Sequence, residues 1–214
     1  MEKKAKAAPR GRPRDREKHQ AIMVAAWAQF LENGVTATSI ERVAAAAGVS
    51  KMTVYSHFGD KMGLFGEVIR SGIDSLGEAL RDLPDPPSDL RRALVAYGCA
   101  FVRFLRRPDI MQLDRMLVPE AATQPKLAET FYRNGPQTVL DTVGGLLEAA
   151  AQRGEIDIDD PMKAADSLTA SWCHGPDWMR QRLGLRDTPS DAEITERVER
   201  SVDWLLARHQ RPPR

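Results

Sequence analysis

The 214-residue sequence has few cysteines, few aromatic residues and no long hydrophobic run. Its two cysteines, Cys99 and Cys173, lie far apart without metal-ligand spacing, so we expect reduced thiols and no bound metal. The longest nearly apolar run, Ala93 to Val102, is far too short to cross a bilayer. No apolar stretch follows the basic start, so we also expect no signal peptide. These absences favour a cytoplasmic protein with no membrane partner.

Catalytic and cofactor motifs are also missing. The sequence has no nucleophile elbow, no phosphate-cradling glycine loop and no metal-binding His-Glu helix. Its carboxylates follow helical-face patterns that are typical of solvated surface. His174 stands beside Cys173, but no further Cys or His has ligand spacing, so we interpret it as a structural histidine. We therefore expect no enzyme activity and no cofactor.

Positive charge is concentrated at the N-terminal end, although the net charge is only +1. The first 61 residues contain 11 Lys and Arg against 6 Asp and Glu, and the remainder is net negative. A basic end on a nearly neutral protein indicates contact with a polyanion. A solvated basic tail explains the same imbalance, and charge alone does not separate the two interpretations.

The hydrophobic pattern is helical throughout, because Ala, Leu, Arg and Glu dominate and no strand pattern is convincing. We predict an all-α protein with a small front domain followed by a larger helical bundle. The prolines at 84–87 are the expected boundary between them, since three prolines in four positions cannot continue a helix. The predicted segments are a disordered basic arm over 1–14, a three-helix domain over 15–60, a connecting helix over 61–82 and the second domain over 88–209.

Residues 38–58 have the pattern of a helix-turn-helix. A capping box, Thr38-x-x-Glu41, predicts the start of the second helix, and Gly48 predicts its end. Ser50 is placed to cap a short third helix over 51–57, whose outward face is polar. A hairpin inside a helical bundle would give similar spacing, but it would not need so short a helix with so polar a face. The short helix is therefore interpreted as the one that enters the DNA major groove.

Two stretches of the sequence resemble a known family. Between Ile22 and Ile69, the pieces WAQFLENGV and TSIERVAAAAGVSKMTVYSHFGDKMGLF occur in an order that resembles the DNA-binding domain of TetR-family repressors. The C-terminal part is similar to the ligand domain of the AefR-like subgroup. The similar pieces there are Glu120, Pro125-Lys-Leu-Ala-Glu-Thr-Phe-Tyr132, Gly135-Pro136, Gly154-Glu-Ile and Asp160-Pro-Met-Lys-Ala-Ala165.

The resemblance implies a set of side chains that touch double-stranded DNA. Those at the starts of the second and fourth helices would approach phosphates, and those on the short helix would face the groove. Lys51 is the expected base reader, because Lys can donate to guanine acceptors. Tyr55 and His57 would touch phosphates or thymine methyls; the alternative for Tyr55 is that it packs partly into the core. The implied DNA-binding residues are Thr38, Ser39, Lys51, Met52, Thr53, Tyr55, His57 and Lys61.

The segment Arg10-Gly-Arg-Pro-Arg14 is a second, separate signal for DNA. Arginine on a narrow, extended backbone can enter an A·T-rich minor groove, which would place Arg12 and Arg14 there. A nonspecific basic tail is the alternative interpretation.

For the second domain, the resemblance implies a homodimer and a small apolar or amphipathic ligand. In the family, the dimer usually forms through the last two long helices, here predicted over 161–183 and 190–208. Six apolar residues on these helices have the spacing of a shared seam, although they could equally fill the core of one chain: Leu168, Trp172, Ile194, Val198, Val202 and Leu205. The predicted ligand-pocket residues are Cys99, Phe101, Phe104, Met111, Met116, Trp172, His174 and Trp178.

The function that the resemblance implies is transcriptional regulation. A homodimer would bind a palindromic operator and release it when a ligand favours another conformation. Family precedent makes this a repressor. The alternative is a helical protein-interaction module that has lost DNA binding.

Overall fold

Helices form all the regular structure that is described for this chain. The structure, a computed structural model, describes residues 12–81, 89–173, 175–185 and 188–209, with backbone only for 12–14. The helices are α1 (Arg12–Ala37), α2 (Ile40–Ala46), α3 (Lys51–Phe58), α4 (Lys61–Asp74), α5 (Leu90–Leu105), α6 (Pro108–Thr123), α7 (Pro125–Asn134), α8 (Pro136–Gln152), α9 (Pro161–Cys173), α10 (Pro176–Arg182) and α11 (Asp191–Arg208). The predicted all-α class is confirmed. Within these ranges, no helix is long and apolar enough to span a membrane.

The chain divides into two compact units, Met1–Val68 and Ile69–Arg214, and the division falls inside α4. The connecting helix predicted over 61–82 is described as α-helix only to Asp74. A 3-10 segment, Ser75–Leu80, continues it. The proline-rich stretch expected to form the boundary lies outside the described residues.

The first unit begins with α1, which starts at Arg12 and so includes three residues that sequence analysis assigned to the arm. Positions 1–11 of that arm lie outside the described residues. Gly34 interrupts the helix with a φ of 79°, close to the predicted end at Asn33-Gly34. Only a residue without a Cβ adopts this conformation at little cost, so the glycine sets where the main part of α1 ends.

One apolar face of α1 forms the core of the first unit. Ile22, Ala26 and Phe30 recur at helical spacing and are fully buried. The Phe30 ring meets the Phe65 ring of α4 edge to face, with centroids 5.5 Å apart. Burying a large apolar side chain stabilises the fold by about 1.5–3 kcal/mol. This core holds α1 in place, and α1 and α2 together support the short helix α3.

The second unit is centred on α5, which packs against α8, α9 and α11. Gly98 lies where these helices come closest. A Cβ built at this position would lie 2.7 Å from Val198 Cγ1 and 2.9 Å from the Trp172 ring. No side chain larger than hydrogen fits there, so the glycine permits the close approach of α5 to α9 and α11.

The six apolar residues with seam-like spacing fill the core of one chain. Each of them is buried among side chains of its own unit, without a second copy. The Trp172 indole N–H also donates to Ser201 Oγ at 2.9 Å, which ties α9 to α11. Of the two interpretations that the spacing allowed, the monomer core is therefore correct for Leu168, Trp172, Ile194, Val198, Val202 and Leu205.

The single helix predicted over 161–183 is wrong. The structure has two helices here, because α9 ends at Cys173 and α10 begins at Pro176. Gly175 between them has a φ of 144°, which is outside the helical region. Pro176 lacks an N–H and disfavours helical conformation in the residue before it. Together, the Gly-Pro pair ends one helix and starts the next.

Candidate DNA-binding surface

The second helix, α2, begins one residue later than the capping box predicted. Ser39, not Thr38, is its N-cap: the Ser39 hydroxyl accepts a hydrogen bond from the Arg42 backbone N–H at 3.3 Å. The predicted Thr38-x-x-Glu41 box is therefore wrong by one position. Because Ser39 is at the N-terminus of α2, its side chain and the neighbouring amides lie where a phosphate can be bound.

Thr38 is placed in the core instead of at the surface. Its side chain is only 2% exposed, and its hydroxyl donates to the carbonyls of Gly34 at 2.7 Å and Gln29 at 3.0 Å. A hydroxyl engaged in this way closes the α1–α2 junction and has no donor left for a phosphate. The assignment of the Thr38 side chain as a DNA contact is therefore corrected.

The turn between α2 and α3 has the predicted geometry. Gly48 ends α2 with a φ of +65°, and a Cβ at that position would be strained by the backbone conformation alone. The Val49 amide then donates to the Ala44 carbonyl at 3.0 Å. Ser50 caps α3 as predicted, since its hydroxyl accepts from the Thr53 N–H at 3.1 Å.

The short helix α3 presents a polar face outward. Val54 is the inward anchor, with 1% of its surface exposed, whereas Met52 is 73% exposed. Lys51, Tyr55 and Ser56 are exposed beside it. Tyr55 is 36% exposed, so it reaches the surface while part of its side chain is covered. The outward side chains form one surface, which we call the α3 face: Lys51, Met52, Tyr55 and Ser56.

Lys51 is engaged with an acidic residue of the neighbouring helix. Its Nζ donates to Glu41 of α2, and its ammonium lies 5.6 Å from the centre of the Tyr55 ring. The hydrogen bond to Glu41 raises the pKa of Lys51, and the same bond lowers the pKa of Glu41. Both groups are therefore charged at neutral pH. The Glu41 carboxylate therefore competes with any DNA acceptor for the Lys51 ammonium.

His57 is directed toward α1 instead of belonging to the α3 face. Its Nε2 lies 3.2 Å from Asp15 Oδ1, and its ring lies beside those of His19 and Phe58. These contacts join the end of α3 to the start of α1. The contact with a phosphate or a thymine methyl that was predicted for His57 is corrected, because its side chain contacts α1 and is only 15% exposed.

Lys61, at the start of α4, is bonded to backbone carbonyls. Its ammonium donates to the Thr36 oxygen at 2.6 Å and to the Thr38 oxygen at 2.9 Å. The Asp60 carboxylate caps the same helix by accepting from the Gly63 N–H at 2.7 Å. Lys61 therefore first stabilises the α1–α2 junction, and any phosphate contact comes in addition.

Three arginines remain to be placed: Arg12 and Arg14, which were predicted to bind DNA, and Arg42, which was not. Arg12 and Arg14 begin α1, but their side chains lie outside the described residues. Arg42 is exposed in the first turn of α2, beside the Ser39 cap. The charge count had included it, yet no motif singled it out. A cation near a helix N-terminus is the signal that would have found it.

The predicted ligand-pocket residues do not form a single cluster. Cys99, Phe101 and Trp172 belong to the main core, and Phe104 packs against it. The other described members lie on α6 and α10: Met111 and Met116 on α6 and Trp178 on α10. His174 lies outside the described residues.

The two cysteines are free thiols. Burial raises the pKa of Cys173 to about 12 and also raises that of Cys99. In the described part of the chain, no three His, Cys, Asp or Glu side chains come together as a metal site.

Sequence analysis missed a buried arginine in the second unit. Arg106 is 4% exposed, and its Nη1 donates to the side-chain oxygen of the buried Gln181. Its guanidinium lies 5.1 Å from the Trp178 ring centre. In sequence, Arg106 and Arg107 look like surface residues at a helix end, so only the tertiary structure shows this charge to be interior.

A short exposed helix, capped by Ser50 and braced by α1 and α2, defines a helix-turn-helix DNA-binding protein. Comparison with known proteins identifies the family. The model of bacterial regulatory proteins of the tetR family matches residues 22–68, and the AefR-like transcriptional repressor C-terminal domain matches residues 92–211. The chain belongs to the TetR family of transcriptional regulators, which are not enzymes.

Individual relatives agree with this assignment. The HTH-type regulator YdeS of Bacillus subtilis strain 168 is 31% identical over 69% of this chain and 71% of its own. The HTH-type transcriptional repressor BepR of Brucella suis is 26% identical over 74% of this chain and 82% of its own. The solved structure of the flavonoid-responsive regulator FrrA is 32% identical, covers 92% of this chain and 98% of its own, and superposes with a TM-score of 0.70. These matches favour a DNA-binding regulator over a module that has lost DNA binding.

Proposed function

We propose that this protein is a repressor that binds a palindromic operator as a homodimer and leaves it when a small molecule binds. The α3 face carries this proposal, because an exposed lysine, methionine and tyrosine on a capped eight-residue helix match the width of the DNA major groove. An operator on the chromosome would be bound in the cytoplasm. Two copies would present two such helices about one turn of DNA apart.

The proposed contacts divide into base readers and phosphate holders. Lys51 exchanges Glu41 for a guanine edge, and Met52 contacts the base edges beside it. Tyr55 reaches a phosphate or a thymine methyl, and Ser39 and Arg42 hold the backbone at the start of α2. Phosphate contacts fix the register, whereas the base contacts give the specificity.

Three further residues have more limited proposed roles. Thr53 lies half-buried at the edge of the α3 face, with its hydroxyl 2.9 Å from that of Ser50, so it would support the base readers. Lys61 would add a phosphate contact to its bonds with the Thr36 and Thr38 carbonyls. Arg12 and Arg14 would follow the minor groove from the start of α1.

The proposed ligand is a small amphipathic molecule with an aromatic ring. The likeness to a flavonoid-responsive regulator supports a ring, and the second unit offers Trp178 beside the buried Arg106 for a ring that carries an acceptor group. Such a ligand would lower operator affinity by its preference for one conformation, about 1–3 kcal/mol of coupling.

The central experiment pairs two double variants of matched composition. Operator fragments are first selected from genomic DNA, and affinity is then measured by fluorescence anisotropy at several salt concentrations. Lys51→Ala/Tyr55→Ala removes two contacts, each worth about 1–3 kcal/mol, so affinity should fall by roughly 30-fold or more. Lys163→Ala/Tyr132→Ala removes the same residue types from exposed positions of the second unit. Equal affinity of the two variants would refute the role of the α3 face.

The arm has its own test. Deleting residues 1–14, which removes Arg12 and Arg14, should reduce both the affinity and the steepness of its salt dependence, because each lost phosphate contact removes about 0.9 from the log–log slope. An unchanged affinity and an unchanged slope would show that the arm is a nonspecific tail.

A further inference from the structure

Two histidines of the first unit lie side by side where α1, α3 and α4 meet. The rings of His19 on α1 and His57 on α3 are arranged edge to face, with centroids 5.9 Å apart. Each imidazole faces a carboxylate: His57 Nε2 lies 3.2 Å from Asp15 Oδ1, and His19 Nε2 lies 4.0 Å from Glu67 Oε1. We call these four groups the histidine cluster.

The charge of the histidine cluster depends on whether its imidazoles carry protons. Histidine is the residue type that ordinarily gains or loses a proton between about pH 5 and 8, whereas carboxylates are ordinarily charged across that range. Two carboxylates with two neutral imidazoles carry two negative charges, and two protonated imidazoles cancel them. The cluster therefore becomes less negative as the pH falls.

Other charged groups border the cluster on the same helices. Arg16 and Lys18 are exposed in the same part of α1. Between α3 and α4, the Asp60 carboxylate caps α4, and the Lys61 ammonium donates to backbone carbonyls. Aspartate, lysine and arginine ordinarily keep their charge over the range in which histidine titrates. A change of charge in this region near neutral pH therefore comes from the two imidazoles.

The cluster lies at the helix that is proposed to enter the DNA. His57 is in the last turn of α3, and Asp15 is in the first turn of α1. Eight residues make α3 only about 12 Å long, so both of its ends would lie near the phosphates that border a major groove of similar width. Phosphates within a Debye length of about 8–10 Å repel the two carboxylates and attract protonated imidazoles. Operator binding is therefore favoured by proton uptake at the cluster.

We propose that proton uptake by His19 and His57 strengthens operator binding, so that this regulator binds its operator more tightly as the pH falls through the range in which histidine titrates. The inference rests on the operator binding of the proposed function and adds the proton as a second signal beside the small molecule. The effect is reciprocal, because bound DNA must favour the protonated imidazoles by the same factor as protons favour DNA binding.

The size of the effect follows from the distance between the charges. One unit of charge about 8 Å from a phosphate, in a water-like dielectric, changes affinity by about 2- to 3-fold. Two imidazoles should therefore change operator affinity by about 4- to 9-fold when both gain a proton.

The proposal is tested by fluorescence anisotropy with full-length protein and a selected operator, at fixed ionic strength, between about pH 6 and 8. The wild type should bind about 4- to 9-fold more tightly at the lower pH. His19→Gln/His57→Gln cannot take up protons at these positions and should bind almost equally at both pH values. His209→Gln is the matched control, because this histidine belongs to the second unit and contacts a backbone carbonyl there. It should keep the wild-type pH dependence.

The ion pair on the α3 face does not complicate this measurement. Its hydrogen bond raises the pKa of Lys51 and lowers that of Glu41, so both side chains stay charged across the range. A wild-type affinity that is the same at both pH values would overturn the proposal. The same holds if the double Gln variant loses affinity equally at every pH, because the histidines would then be structural contacts only.

A second measurement follows the imidazoles directly and does not depend on how the variants fold. NMR of histidine-labelled wild-type protein gives the titration midpoint of each imidazole with and without operator. The midpoints of His19 and His57 should each rise by about 0.3–0.5 pH units when operator is bound, whereas that of His209 should not move. Midpoints of His19 and His57 that stay unchanged would contradict the coupling to DNA.

These experiments distinguish this inference from the proposed function. If the wild type binds a palindromic operator with an affinity that is independent of pH in this range, the inference fails and the repressor function stands. If the wild type binds no duplex at any pH in the range, the repressor function itself fails. Thermal unfolding at each pH shows that the compared proteins are folded.

Discussion

The two units of this protein use short and long helices for different purposes. In the first unit, α2 and α3 are too short to be stable alone, so side-chain caps and a few core contacts hold them. In the second unit, α5, α8, α9 and α11 bury long apolar faces against one another. This difference between the units determines which helix faces remain accessible to a partner. The short helices leave one face free for a partner, whereas the long helices use most of theirs for the fold.

The largest expected effect tests the second unit. Trp172→Ala should lower the free energy of unfolding by about 3–5 kcal/mol, because it removes a fully buried ring and its hydrogen bond to Ser201. Urea unfolding followed by circular dichroism measures this. Trp204→Ala in the same assay should cost less than about 1 kcal/mol, because this side chain is 65% exposed, and a comparable loss would contradict the distinction between core and surface.

A smaller effect is expected in the first unit, where a single cap matters. Ser50→Ala removes the hydroxyl that accepts from Thr53 and should destabilise the unit by about 1 kcal/mol. Operator affinity should fall with it, because α3 must be ordered to bind. Hydrogen exchange of the α3 amides provides the measurement. Ser56→Ala, on the same helix but away from the cap, is the control and should leave α3 protection unchanged.

The smallest expected effect concerns the ion pair between Lys51 and Glu41. Glu41→Gln removes the carboxylate that competes with DNA for Lys51, so operator affinity should rise by about 2- to 5-fold with little change in stability, since the pair is exposed. The pH dependence should follow the same pair. Glu41 has a lowered pKa, so the pair is present at neutral pH and is lost as the pH falls through that pKa.

The higher operator affinity of the Gln variant relative to the wild type should therefore disappear as the pH falls through the lowered pKa of Glu41, because the wild-type carboxyl group then becomes neutral. Anisotropy titrations at pH 7 and at a pH well below 4.5, the ordinary carboxyl value from which the pKa of Glu41 is lowered, provide the check on protein shown to remain folded. A constant ratio between the two proteins at both pH values would contradict the competition for Lys51.

Local patterns in the sequence predicted the α3 region well. The Gly48 turn and the Ser50 cap depend on residues within a few positions of each other, and the structure has both. The start of α2 was missed by one residue, because a hydroxyl stands at both Thr38 and Ser39. The choice between them depends on the bond from Thr38 to Gln29, nine residues away. Short-range spacing does not contain that information.

The second unit was harder to predict for a related reason. Helical spacing shows that a face is apolar, but it does not show whether that face meets its own chain or another one. The seam-spaced residues proved to be core. The break at Gly175-Pro176 is different, because the two residues were a readable signal for the end of a helix.

The close contact at Gly98 limits where a ligand can enter the second unit. At this level of α5, even a methyl group would collide with Val198 and Trp172, so no molecule can be accommodated between these three helices. Any room for an effector between these three helices therefore lies at another level of α5. Larger side chains near Phe104 and Arg106, at the C-terminal end of α5, should alter effector selectivity. At the level of Gly98, there is no space for an effector between α5, α9 and α11.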